Sequence, residues 1–89
     1  MLLSSLGPGY IIQKPINVAI EPDGCEFIAD FLEANISTGG ETEEKAIANL
    51  QSLITDFYDD LVNVPDIQLG PSLQKTKNVL MEYIRYERT

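Results

Sequence analysis

The 89-residue sequence has no histidine, no tryptophan and a single cysteine, Cys25. Without histidine there is no imidazole to act as general acid or base, to activate a nucleophile, or to complete most zinc sites. One cysteine cannot form an internal disulfide, which suits a reducing compartment such as the cytoplasm. Bases are scarce, 6 against 14 acids, and the formal net charge is −8. That sign repels nucleic acid and anionic membrane and favours a basic protein as partner. No apolar run approaches the ~18 residues of a membrane span, and Met1 to Leu6 lacks the basic flank of a signal peptide.

The apolar share, 44%, is that of an ordinary globular chain and argues against intrinsic disorder. The length predicts one domain over residues 1–89. Within it we distinguish an N-terminal arm (1–15), a core (16–62) and a C-terminal helix (71–88). The charge is uneven along the chain. Residues 1–66 hold 12 acids against two bases, Lys14 and Lys45, whereas residues 67–89 hold two acids against four bases. Two expectations follow: a plain solvated acidic surface, or an acidic face that steers a basic partner.

The arm ends in the break Gly7-Pro8-Gly9 and is either loose or docked through its three leucines. Tyr10, Ile12, Ile16, Val18 and Ile20 then share one parity, which predicts a strand over Ile16–Glu21 and allows a separate short one at Tyr10–Gln13. Glu21-Pro22-Asp23-Gly24 is expected to be the hairpin turn, because proline pre-sets the first corner and glycine takes the left-handed position. In the next strand, Cys25–Phe31, alternation places Cys25, Phe27, Ala29 and Phe31 inward and Glu26, Ile28 and Asp30 outward. Ala34, Ile36 and Thr38 suggest a third strand. A three-stranded antiparallel meander with one apolar face is the result.

A long helix is predicted to cover that face. Thr42 is its N-cap, with Glu43 and Glu44 in the first turn, where the helix dipole favours carboxylates. Ala46, Ile47, Leu50, Leu53, Ile54, Phe57, Tyr58 and Leu61 recur at helical spacing, and Pro65 sets an end near Leu61–Asn63. Pro71 opens a second helix, whose stripe of Leu73, Thr76, Leu80, Tyr83 and Ile84 is wide enough to touch two surfaces, in its own chain or in another.

Chemistry-bearing constellations are few. Asp23, Glu26, Asp30, Glu41, Glu43 and Glu44 fit no calcium loop. Cys25 has no activating base, and its parity predicts a small buried hydrophobe. The turn from Thr38 to Thr42 lacks the lysine and glycine spacing of a phosphate loop. Tyr58, Tyr83 and Tyr86 fit core and interface positions better than base-stacking platforms, given the charge sign. No catalytic residue, metal or cofactor is expected. A small sheet with open edges is instead suited to binding another polypeptide, by edge or by face.

The run Thr38-x-Gly40-Glu41-Thr42-x-Glu44-x-Ala46-x-x-Asn49-Leu50, preceded by two strands joined at Glu21–Gly24, resembles the HicB-like antitoxin domain over about residues 16–62. The resemblance implies a partial RNase H-like β-β-β-α fold without the catalytic acids. It also implies a place in a toxin–antitoxin system: a non-enzymatic, cytoplasmic, oligomeric protein, dimer or tetramer, that neutralises a small basic RNA-cleaving toxin by binding it. The family's C-terminal operator-binding module does not fit within residues 65–89, so direct DNA binding is not expected. Asn35-Ile36 also replaces the family's Gly-Cys. The expected fold is therefore α+β: a three-stranded antiparallel sheet covered by one long helix, plus a C-terminal helix. The expected partner-binding residues are Glu26, Ile28, Asp30, Glu41 and Glu43, and the expected oligomer interface is Tyr83, Ile84 and Tyr86. The alternative is an orphan domain of the same kind that assembles with itself and serves an unrelated structural or regulatory role.

Overall fold

A computed structural model describes residues 1–87. Its elements are β1 (Leu2–Leu3), β2 (Tyr10–Ile12), β3 (Ile16–Asn17), β4 (Ala19–Asp23), β5 (Glu26–Phe31), β6 (Ile36–Gly40), α1 (Glu43–Val62), α2 (Pro71–Tyr83) and β7 (Ile84–Tyr86). The α+β class and the meander β4-β5-β6 are present, yet the meander is one of three antiparallel sheets. β1 pairs with β3, and β2 pairs with β7.

The meander hairpin turns two residues later than its sequence suggests. Asp23 pairs with Glu26, so Gly24 and Cys25 form the turn and Pro22 lies inside β4. Gly24 has φ +63° and Cys25 does not share that sign, the φ pattern of a type II′ turn. Such a turn follows the right-handed twist of the strands, whereas a Pro-Asp corner would splay them. Pro22 is tolerated because β4 is an edge strand. Cys25 is consequently exposed at the hairpin tip and not buried as its parity suggested.

The parity of the rest of β5 holds, with Ala29 and Phe31 buried beneath α1. The last strand is reached through a short 3-10 turn, Leu32–Ala34, closed by Asn35 in the left-handed region (φ 57°). Asparagine tolerates that conformation better than a branched residue would. α1 starts where Thr42 caps it, the hydroxyl accepting from the Lys45 amide at 3.1 Å. Its buried stripe is Ala46, Leu50, Ile54, Tyr58 and Leu61. Gly40 makes the packing possible, since a Cβ there would lie 2.4 Å from the Ala46 amide nitrogen. Asn49 then donates to the Gly39 carbonyl at 2.9 Å and ties the helix to the edge of β6.

Of the two arrangements open to the arm, the docked one is present, through two of its three leucines: Leu3 and Leu6 are buried while Leu2 is exposed, Met1 and Val18 exchange backbone hydrogen bonds, and Gln51 donates to the Ser5 carbonyl. The second helix ends at Tyr83 and does not run through residues 84–87; residue 88, the last of the expected helix, lies outside the described residues. Ile84 and Tyr86 are strong strand formers, and Tyr10–Ile12 offers the segment an unpaired ladder. The register is Tyr10↔Tyr86, Ile11↔Arg85 and Ile12↔Ile84. The Gln13 side-chain Nε2 meanwhile donates to the carbonyls of Met81 and Glu82, which the helix end leaves free. The linker between the helices is held by Lys77, which donates to the Val64 carbonyl and pairs with Asp66, and by Gln74, which donates to the carbonyls of Asp66 and Leu69. All three sheets feed one core, with Leu3, Ile16, Val18, Phe31, Ile36, Leu50, Ile54, Leu80 and Ile84 buried together.

The junction of β6 and α1 yields a stability prediction. Gly40→Ala forces a methyl against helix backbone and should lower the unfolding free energy by about 2–3 kcal/mol in urea melts. Gly39→Ala, whose Cβ would meet its nearest neighbour at 3.4 Å, should cost less than about 1 kcal/mol. Equal losses would show that the close approach is not what the glycine serves.

Candidate functional site

The outer face of the meander is built by register. Antiparallel partners point to the same side of a sheet. Ala19↔Asp30, Glu21↔Ile28 and Asp23↔Glu26 therefore lie on the face turned away from α1. Four carboxylates, Glu21, Asp23, Glu26 and Asp30, share that face without a basic residue among the paired positions. Ile28 sits among them, its Cδ1 3.4 Å from where a Cβ on Gly39 would be. β6 ends at Gly40, opposite Phe27, and Glu41 follows in the turn that leads to α1. Glu43 follows in the first turn of α1. Lys45 lies 3.4 Å from the Glu41 carboxylate in an exposed pair.

Of the five residues expected to bind a partner, Glu26, Ile28 and Asp30 share the outer face of the meander, whereas Glu41 lies in the turn after β6 and Glu43 in α1, which packs on the other face. Glu26, Glu41 and Glu43 are exposed, while Ile28 and Asp30 are half-buried. Asp23 and Glu26 face each other directly, a like-charge pair that weakens the hairpin. Among the described residues, no group of acids and cysteine is placed to hold a metal ion.

The three residues expected at an oligomer interface are engaged within their own chain. Ile84 is 1% exposed in the core, and the Tyr83 ring meets Phe31 edge-on at 5.5 Å. Tyr86 remains 47% exposed, but its ring packs on Tyr10 at 4.9 Å.

Sequence inspection missed the second polar cluster altogether. Tyr10 from β2, Tyr58 from α1 and Tyr86 from β7 surround an open depression of about 480 Å³, completed by Asp59, Val62 and Asn63. The Tyr10 hydroxyl donates to the Asp59 carboxylate, at 2.7 and 2.8 Å from its two oxygens. The Tyr58 hydroxyl accepts from the Tyr86 amide at 3.2 Å. Tyr10 meets Tyr58 edge-on at 6.1 Å. Only the pairing of Tyr10 with Tyr86 brings these groups together, and no local pattern announces it. A smaller cavity of about 280 Å³ lies between the 3-10 turn and α2, lined in part by Glu33, Asn35 and Lys75. Among the described residues, no helix is long and apolar enough to cross a membrane.

No protein-family model, curated protein or solved structure matches this chain.

The tyrosine cluster carries a pH signature. Desolvation of the ring, followed by the hydrogen bond and charge of Asp59, pushes the Tyr10 hydroxyl up from 10.0 to about 12. A folded value above the unfolded one stabilises the fold fully below pH 10, and that contribution fades as pH rises toward 12. Denaturant melts across this range should show the wild type losing stability more steeply than Tyr10→Phe. Parallel curves for the two proteins would contradict the Tyr10–Asp59 bond.

Proposed function

We propose that this chain is a non-enzymatic, HicB-like antitoxin domain that binds and masks a small basic toxin protein. The observation that carries the reading is the outer face of the meander: four carboxylates on paired positions around Ile28. An apolar contact rimmed by charge of one sign suits a partner of the opposite sign. Complementary charge accelerates encounter and excludes wrong partners.

The residues behind the family resemblance fit the same reading as scaffold. Gly40, Thr42, Ala46, Asn49 and Leu50 allow the close approach, cap the helix, pack and tie it down. None of them is spent on the outer face, which leaves that surface free to vary with the partner.

A second reading is supported by β6. It is the uncharged edge of the meander, Ile36–Gly40, with no strand beyond it among the described residues. Such an edge can pair with a copy of itself, as a self-assembling domain with a structural or regulatory role requires. Assembly that persists at high salt, with no second protein present, would favour it.

The primary test is capture from the source cells at low salt. A small basic protein should be retained and should leave as salt rises, because the contact is between solvated charges. Recovery of this chain alone, from cells that make the product of a neighbouring basic reading frame, would overturn the reading. Glu26→Lys separates binding from stability. It turns a repulsive cross-strand pair into an attractive one and should stabilise the fold by roughly 0.2–1 kcal/mol. Combined with Asp30→Lys, it should weaken partner binding at least about tenfold.

A further inference from the structure

The C-terminal end of α1 breaks an electrostatic rule. The last turns of a helix present free carbonyls and the negative end of its dipole, so bases are favoured there and acids disfavoured. The last turn of α1 contains no base. Asp56, Asp59 and Asp60 stand in its final two turns instead. The depression bounded by Tyr10, Tyr58 and Tyr86 opens at this same end, and Asp59 and the helix-capping Asn63 belong to its wall. Aromatic faces are negative as well. Four sources of negative potential therefore converge: ring faces, the carboxylate of Asp59, the nearby Asp56 and the helix end. Among the described residues, no cation lines the depression. Arg85, the neighbouring base on β7, pairs with Glu87.

We propose that this depression receives the guanidinium of an arginine side chain from the basic polypeptide partner. The proposal rests on the reading of the chain as a binder of basic protein and names a second point of contact, apart from the meander. Arginine fits better than lysine. Its planar, weakly hydrated head stacks on aromatic rings and donates several hydrogen bonds in one plane. Asp59 offers it a charged acceptor, since a single tyrosine hydroxyl leaves acceptor capacity on a carboxylate. The side-chain carbonyl of Asn63 supplies another acceptor, and Val62 an apolar wall for the arginine stem. An anion is excluded by the same field, and a neutral ligand would leave it unbalanced.

The test titrates the intact protein with acetyl-Gly-Arg-Gly-amide and follows the tyrosine ring resonances by NMR. Peptides with citrulline or lysine in place of arginine serve as controls. The arginine peptide should shift the signals of Tyr10, Tyr58 and Tyr86 saturably, with a dissociation constant on the order of 1–10 mM. Citrulline, which keeps the shape and loses the charge, should produce no saturable shift, and lysine should bind several-fold more weakly. Asp59→Asn, an exposed and nearly isosteric change, should weaken arginine at least about fivefold, with the circular dichroism spectrum unchanged. Equal responses to the three peptides, or arginine shifts confined to residues outside the depression, would overturn the proposal, and this readout needs no variant to fold. The two claims fail separately. Arginine binding here without any captured basic partner removes the antitoxin reading alone. A captured partner whose affinity ignores both Asp59→Asn and Tyr86→Leu removes this site alone.

Discussion

At the junction of β6 and α1 two backbones run almost in contact, with room at Gly40 for a hydrogen and not for a methyl. The rest of the molecule is arranged from that point. Because the helix begins so close to the sheet, Ala46 is wholly enclosed and Asn49 reaches the Gly39 carbonyl. Successive turns then bury Leu50 and Ile54 in the core and carry Tyr58 to Tyr10 and Tyr86 of the β2–β7 ribbon. The sheet's other side is left facing outward, and its polarity follows from strand alternation alone. Close packing on one side and charge on the other are two results of one register.

Local signals are strong where the chain folds on its neighbours in sequence. The meander, the capped start of α1 and the proline start of α2 were all legible, because alternation, a threonine hydroxyl and a missing amide hydrogen act within a few residues. The hairpin turn was displaced by two positions, since Pro22 sits without penalty on an edge strand and Gly24 alone meets the steric demand of the turn. Cys25 followed it to the surface. The β1–β3 and β2–β7 pairings were not legible at all. Val79 to Tyr86 carries apolar residues compatible with helical and with strand spacing. The choice falls to strand only because Tyr10–Ile12, far away in sequence, needs a partner.

The same division applies to the functional surfaces. The acidic outer face could be read directly, as it depends on alternation within consecutive strands. The tyrosine depression could not, because its members come from positions 10, 58, 59 and 86. The sequence points Tyr58 and Tyr86 to core and interface positions, and in the structure each has a ring or hydroxyl tied to its own chain. What gives them further meaning is the neighbourhood of a helix end whose last turn lacks any base, where α1 stops at Val62. The unfavourable carboxylates there weaken the helix, and local rules tend to be broken where function requires it.

The β2–β7 ribbon has a kinetic consequence. Joining residue 10 to residue 86 encloses nearly the whole chain in one loop, so its entropy of closure falls due at once and the ribbon is expected to zip last. It works as a clasp on an already assembled body. Two of the three tyrosines around the depression arrive with it, so an immature or partly opened molecule would display the acidic meander while lacking the aromatic recess.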